Sequence, residues 1–305
     1  MALNFKTATR SGNLANLLLV VVVLLFVSAC VFSSGRDSGK TETPTPAPAA
    51  TPAPAASAET KSAYQETAEK PDDGDFIVEH PGVDNERYAE LDRKIKSEKL
   101  LEKAADDLNR ALRLPENIIM RATGCGRANA EFDPNTQTIT VCYELMEHFY
   151  ALYRSDGMSP AEADEKMFDA VRFVFLHEVG HALIYNYKLP IMGNEEDAAD
   201  RCSSFINIEE LGESGVKAVL AAADAFRIEA RDNAPTGRAL ADEHLLQEQR
   251  FYNSLCMIYG SDADRYEYFV TEGYLPRERA VRCPGEFQRT VESWRSLLEP
   301  WRKDR

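Results

Sequence analysis

The residues best equipped for chemistry crowd into one run, Phe173 to Leu183, which reads FVFLHEVGHAL and holds His177, Glu178 and His181. On an α-helix, histidines four residues apart project from one face, so His177 and His181 can reach a single divalent cation. Glu178 then stands beside the position such a cation leaves open for water, where a carboxylate can serve as base. The same residues also suit a core helix, because VRFVFL in front of them is apolar on nearly every side. Catalytic zinc takes three protein ligands and one water, so a third ligand separates the two readings.

The residues directly after His181 do not supply it. An HExxHxxGxxH site needs glycine at 184 and histidine at 187, where this chain has Ile184 and Tyr187. Further on lies Asn194-Glu195-Glu196-Asp197-Ala198-Ala199-Asp200, behind Pro190 and Gly193, which end one helix and permit a turn. Asn194 is a good N-cap for a second helix, on which Glu196 and Asp200 share a face. Glu196 is placed to bind zinc and Asp200 to accept the ring N–H of a ligand histidine, with Glu195 the nearest substitute for Glu196. Small Ala198 and Ala199 allow the helices to approach closely. The plainer reading is an acidic first turn, which suits any helix.

HEVGH followed by EDAAD resembles the gluzincin pattern, HExxH then ExxxD, of thermolysin-like and Ste24-like zinc peptidases. The stretch from about Asp92 to Trp301 is similar to a bacterial family known only as metallopeptidases. The segments that carry the resemblance are LLEKAADDLNRALRLPENI, CGRANAEFDPNTQTITVCYEL, FLHEVGHALI, NEEDAADR, DEHLLQEQRFYNSLCMIYGSD and YLPRERAVRCPGEF. Residue by residue, the resemblance implies zinc ligands His177, His181 and Glu196, general base Glu178 and a supporting Asp200. Gluzincins often place a downstream His or Tyr near the oxyanion, a role open to His244; Asp242 in the same triplet could instead cap a helix. Gluzincins also run a strand edge over the active-site helix, which Thr138 to Val141 could provide or else be an ordinary core strand.

The remaining sequence must hold and deliver this site. Residues 1–29 carry Lys6 and Arg10, then the apolar run Leu17 to Val27, as a secretory signal does. Val27-Ser28-Ala29-Cys30 resembles a lipobox, which implies cleavage before Cys30 and lipidation of its thiol; an uncleaved anchor is the alternative. Residues 30–75, with TPTPAPAATPAPAA, read as an extended spacer, leaving 76–305 as the metallopeptidase-like domain. These features place the domain outside the cytoplasm, tethered in a bacterial cell envelope. A formal charge of -15 argues against nucleic acid as partner and leaves a polypeptide substrate or partner protein.

The expected fold is α+β, mostly helical, with a small sheet over the HExxH helix and a helical C-terminal region. Strands are expected at 76–80, 118–122 and 138–142, with a turn at Asp133 to Thr136. Helices are expected at 85–112, 144–154, from a Ser159 N-cap through the zinc motif, and at 213–231, 241–259, 262–271 and 284–299, with breaks at Asn233 to Gly237, Gly260 and Pro276. Outside the cytoplasm disulfides persist, and Cys125 with Cys142 across a hairpin, and Cys256 with Cys283 between helices, are the expected pairs; Cys202 is left as a small buried residue. His80 and His148 have no motif around them and read as structural. The combined expectation is zinc-dependent peptide-bond hydrolysis. The rival is a catalytically inactive envelope scaffold that keeps its zinc and binds partner proteins, in which Glu178 would have no use.

Overall fold

The computed structural model describes residues 70–83, 85–232, 237 and 239–303; the expected signal sequence, Cys30 and the expected spacer as far as residue 69 lie outside them. Four strands form the sheet: β1 (Phe76–Glu79), β2 (Ile118–Thr123), β3 (Ala130–Asp133) and β4 (Thr138–Cys142). Their order is β1-β2-β4-β3, with β2 parallel to both β1 and β4, and β3 antiparallel to β4. Of the two readings of Thr138 to Val141, the ordinary core strand holds: β4 is interior and β3 takes the edge. The β-branched TITV is buried along its whole length, as a strand covered on both faces must be. Ordered contacts begin just upstream of Phe76, where the Asp73 and Gly74 N–H groups both donate to the Leu114 carbonyl. A Cβ on Gly74 would stand 2.1 Å from the Glu116 carbonyl carbon, so only glycine fits there.

The single helix expected over 85–112 is two. A 3₁₀ turn leads into α1 (Ala89–Glu98), Lys99 turns left-handed at φ 52°, and α2 (Leu100–Ala111) follows. Ile95 of α1 and Leu108 of α2 are both buried. On one straight helix, thirteen residues at ~100° each would set them about 220° apart, so the break restores a common inner face.

β4 runs directly into α3 (Tyr143–Ser155). The central element is α4 (Pro160–Tyr187), opened by Pro160 and a capping box between Ser159 and Glu162. Its 28 residues span about 42 Å, and the sheet packs against it through β3 and β4. Asn194 caps α5 (Glu195–Phe205) by accepting from the Glu196 and Asp197 N–H groups. A π-helical turn at Ile206–Glu210 then leads to α6 (Gly212–Asp232).

Beyond α6 the expected 241–259 helix starts later, as α7 (Gln247–Ser261), and Gly260 lies inside it instead of ending it. A Cβ on Gly260 would stand 2.4 Å from the Cys283 carbonyl oxygen; the glycine serves close packing rather than a break. Of the helix expected over 262–271 only α8 (Tyr268–Thr271) forms, after hydrogen-bonded turns. Pro276 precedes α9 (Arg277–Ala280), and α10 (Cys283–Leu298) packs on α5 and α7. No helix among the described residues is long and apolar enough to cross a membrane.

Two disulfides brace these parts, Cys125–Cys142 and Cys256–Cys283, while Cys202 is free and buried. The first joins the loop after β2 to the end of β4, its parallel neighbour, and so lies outside the β3–β4 hairpin across which it was expected. The fold is α+β and mostly helical, with the sheet and α4 at its centre.

Candidate metal centre and active site

Local sequence explains why α4 and α5 can share a site. A Cβ on Gly180 would meet the Cys202 Cβ at 3.1 Å and the Ala199 Cα at 3.2 Å. The glycine inside HEVGH and Ala199 inside EDAAD therefore let the two helices touch, and Ala199 is fully buried. The approach brings the inner faces of the two motifs together. His177 Nε2 lies 3.0 Å and His181 Nε2 3.4 Å from Glu196 Oε2. The two Nε2 atoms are 3.1 Å apart, and all three groups lie within 4.8 Å of one another.

The far side of each ring is also occupied. His177 Nδ1 is 2.9 Å from Asp200 Oδ1, and His181 Nδ1 is 2.9 Å from Glu195 Oε1. A carboxylate on Nδ1 holds the ring proton there and leaves the Nε2 lone pair facing inward. Two such lone pairs beside a carboxylate oxygen repel one another unless a cation sits among them. Two imidazoles and a carboxylate are the donor set that zinc accepts, so the residues fit the metal the motif implies.

Electrostatics favour a positive charge among these groups, which either a metal ion or protons on the histidines can supply. Burial alone would lower the pKa of His177, but hydrogen bonds to Asp200 and Glu196 outweigh it and raise the value to about 9. His181 is raised against the same opposition of burial, chiefly by Glu196. Burial works to raise Glu196, yet the three histidines around it hold its carboxyl far below the usual range. Glu178, on the adjoining face of α4, is pushed up by burial and pulled back only in part by His177 and His181. The backbone N–H of Phe132, on edge strand β3, also faces Glu178 and favours its charged form.

Arg250 and the His244 loop complete the site, and the sequence offers no hint of Arg250. Arg250, on α7, donates Nε and Nη2 to the two oxygens of Asp200 at 2.8 Å each, while its guanidinium lies 4.1 Å from the Phe226 ring centroid. Burial again works against the ionised form of Asp200, and Arg250 with His177 holds it well below the ordinary range. His244 Nε2 lies 3.0 Å from Glu196 Oε2, and its Nδ1 lies 3.1 Å from Asp242 Oδ1. Asp242 accepts the His244 N–H instead of capping a helix. Asn194 Nδ2 donates to the Glu243 carbonyl at 2.6 Å, so the residue that caps α5 also holds the His244 loop against it. Glu195 serves as the Nδ1 partner of His181. Only His80 and His148 stand elsewhere, paired with Glu102 and Glu229.

A helix offering two histidines and a glutamate, closed by a carboxylate from the next helix, is the arrangement of a metal-dependent hydrolase. The profile of the family described as "Putative metallopeptidase" matches residues 55–298, and the chain belongs to that family. No curated protein and no solved structure matches the chain. Family membership implies a metal ion and a polypeptide substrate.

Proposed function

We propose that the chain is a zinc-dependent peptidase of gluzincin type, held outside the cytoplasm by a lipidated Cys30. The observation that carries the reading is the convergence of His177, His181 and Glu196 beside Glu178, with Asp200 and Arg250 behind. His177, His181 and Glu196 are the zinc ligands. Zinc, when bound, supplies a Lewis acid for the scissile carbonyl and brings the pKa of its water toward ~7.

The remaining steps belong to side chains and backbone of this chain. Glu178 takes the proton of the attacking water and later delivers it to the leaving amine, and its burial raises its proton affinity. β3, at the open edge of the sheet, pairs with an extended peptide and sets its scissile bond against Glu178. His244, part exposed beside Glu196, donates a hydrogen bond to the carbonyl oxygen as negative charge develops there.

Peptide-library cleavage by the zinc-loaded chain, read by mass spectrometry, tests this. Glu178→Gln is expected to lose on the order of 10²–10⁴-fold in turnover with zinc per chain unchanged. Wild-type turnover in that variant would reject Glu178 as the base. The tether rests on the basic, apolar and small-residue sequence before Cys30. Cys30→Ser is expected to move the chain from the membrane fraction to the soluble one, and its retention in membranes would instead support an uncleaved anchor.

A further inference from the structure

A cavity lies on the reverse of the helix that carries His177 and His181. It measures about 900 Å³ and is walled by Leu101 and Leu108 of α2, Phe168 and Phe175 of α4, and Phe205 of α5. Its floor is Val141 of β4. On α4, Phe168 and Phe175 stand about 160–180° around the axis from His177, so the helix separates this cavity from the metal centre. The volume falls in the ~300–1,000 Å³ range of small-molecule sites. Val141 is only 2% exposed, so the cavity reaches the core sheet, beyond the reach of a folded protein surface.

The rim has the opposite character. Lys103, Arg110, Arg172, Arg295, Arg302 and Lys303 line it, against Asp107 and Glu210 as the acids. That is a local excess of positive charge on a chain whose formal net charge is -15. Arg110, Arg172, Arg295 and Lys303 pair with Asp107, Asp169, Glu209 and Asp72. Lys103 and Arg302 have no acidic partner among the described residues. Arg302 is moreover half-buried, and a cation partly removed from water beside apolar walls is favoured by an anion brought to it.

We infer that this cavity binds a long-chain fatty acid, its alkyl chain between α2 and α4 and its carboxylate against Arg302 and Lys103. A flexible alkyl chain matches a deep apolar cavity, and a single anionic head matches a cationic rim. No covalent step is involved.

The test is equilibrium dialysis of the full chain, held in amphipol, against radiolabelled palmitate below its micellar concentration. Partition into the amphipol is non-saturable and common to every variant, so only saturable uptake counts. One palmitate per chain is expected, abolished by Ala104→Trp, which fills the cavity from α2. Leu101→Trp is the second filling variant, used if Ala104→Trp lowers the melting temperature. Arg302→Glu is expected to weaken palmitate at least tenfold and to leave binding of uncharged hexadecanol unchanged. Absence of saturable uptake, uptake that survives both filling variants, or equal loss of palmitate and hexadecanol in Arg302→Glu would overturn the inference.

Discussion

Asp200 is the residue on which the candidate centre turns, because it faces His177 on one side and Arg250 on the other. Asp200→Asn keeps the shape but removes the charge that fixes the His177 proton on Nδ1. Zinc affinity is expected to fall by about 10–100-fold, measured by competition with a chelator. Arg250→Leu leaves the half-buried Asp200 carboxylate without its counter-ion and is expected to cost about 3 kcal/mol, the low end for a buried pair, in urea unfolding. The sequence discloses most of this group. His177 with His181, and Glu196 with Asp200, are legible because helical spacing assigns residues four apart to one face, and Glu178 because it adjoins His177 in the motif. Arg250 is not, since fifty residues and an intervening helix separate it from Asp200, and only the tertiary fold brings them together. His244 is legible only through the resemblance of its surrounding stretch, and Glu195 reads as a possible ligand until its neighbour Glu196 takes the inner position.

Between elements, the contact of α4 with α5 sets the spacing of the proposed ligands. Gly180→Val is expected to overpack it, lowering stability by about 1–3 kcal/mol and weakening zinc together, as α5 and Glu196 are pushed outward. A second junction, between the end of α3 and α6, makes a pH prediction. Asp156 is buried; burial would raise its pKa, but Arg227 and Arg231 of α6 hold it below the ordinary value. A carboxyl whose pKa is depressed on folding adds stability above its unfolded pKa, ~3.9, and loses it as pH falls through the folded value. Metal-free wild type is therefore expected to lose more stability between pH 7 and pH 3 than Asp156→Asn, by urea midpoint; parallel losses would contradict it. At this scale, caps and turns were readable, Ser159 and Asn194 above all, because their hydrogen bonds are local. The kink at Lys99 and the role of Gly260 were not, because each answers to packing against distant segments: a common inner face for Ile95 and Leu108, and the backbone of Cys283.

For the molecule as a whole, the mostly helical α+β class followed from periodicity, whereas the strand order did not. TITV was legible as a strand, but a weak alternating segment such as AEFD gives no sign that it holds the edge. The two cysteine pairs are the ones expected from the sequence, although number alone leaves the connectivity open. Cys256–Cys283 ties α7 to the start of α10, which in turn packs on α5. Replacing both cysteines by serine is expected to cost about 3 kcal/mol and to lower the melting temperature without removing zinc.

The most direct measurement is metal content, by mass spectrometry, of the zinc-supplemented chain at neutral pH, wild type beside Glu196→Ala. One zinc per chain in the wild type, lost or sharply reduced in the variant, is the predicted result. A wild type that takes up no zinc would contradict the enzyme reading, and full occupancy in Glu196→Ala would contradict the ligand assignment.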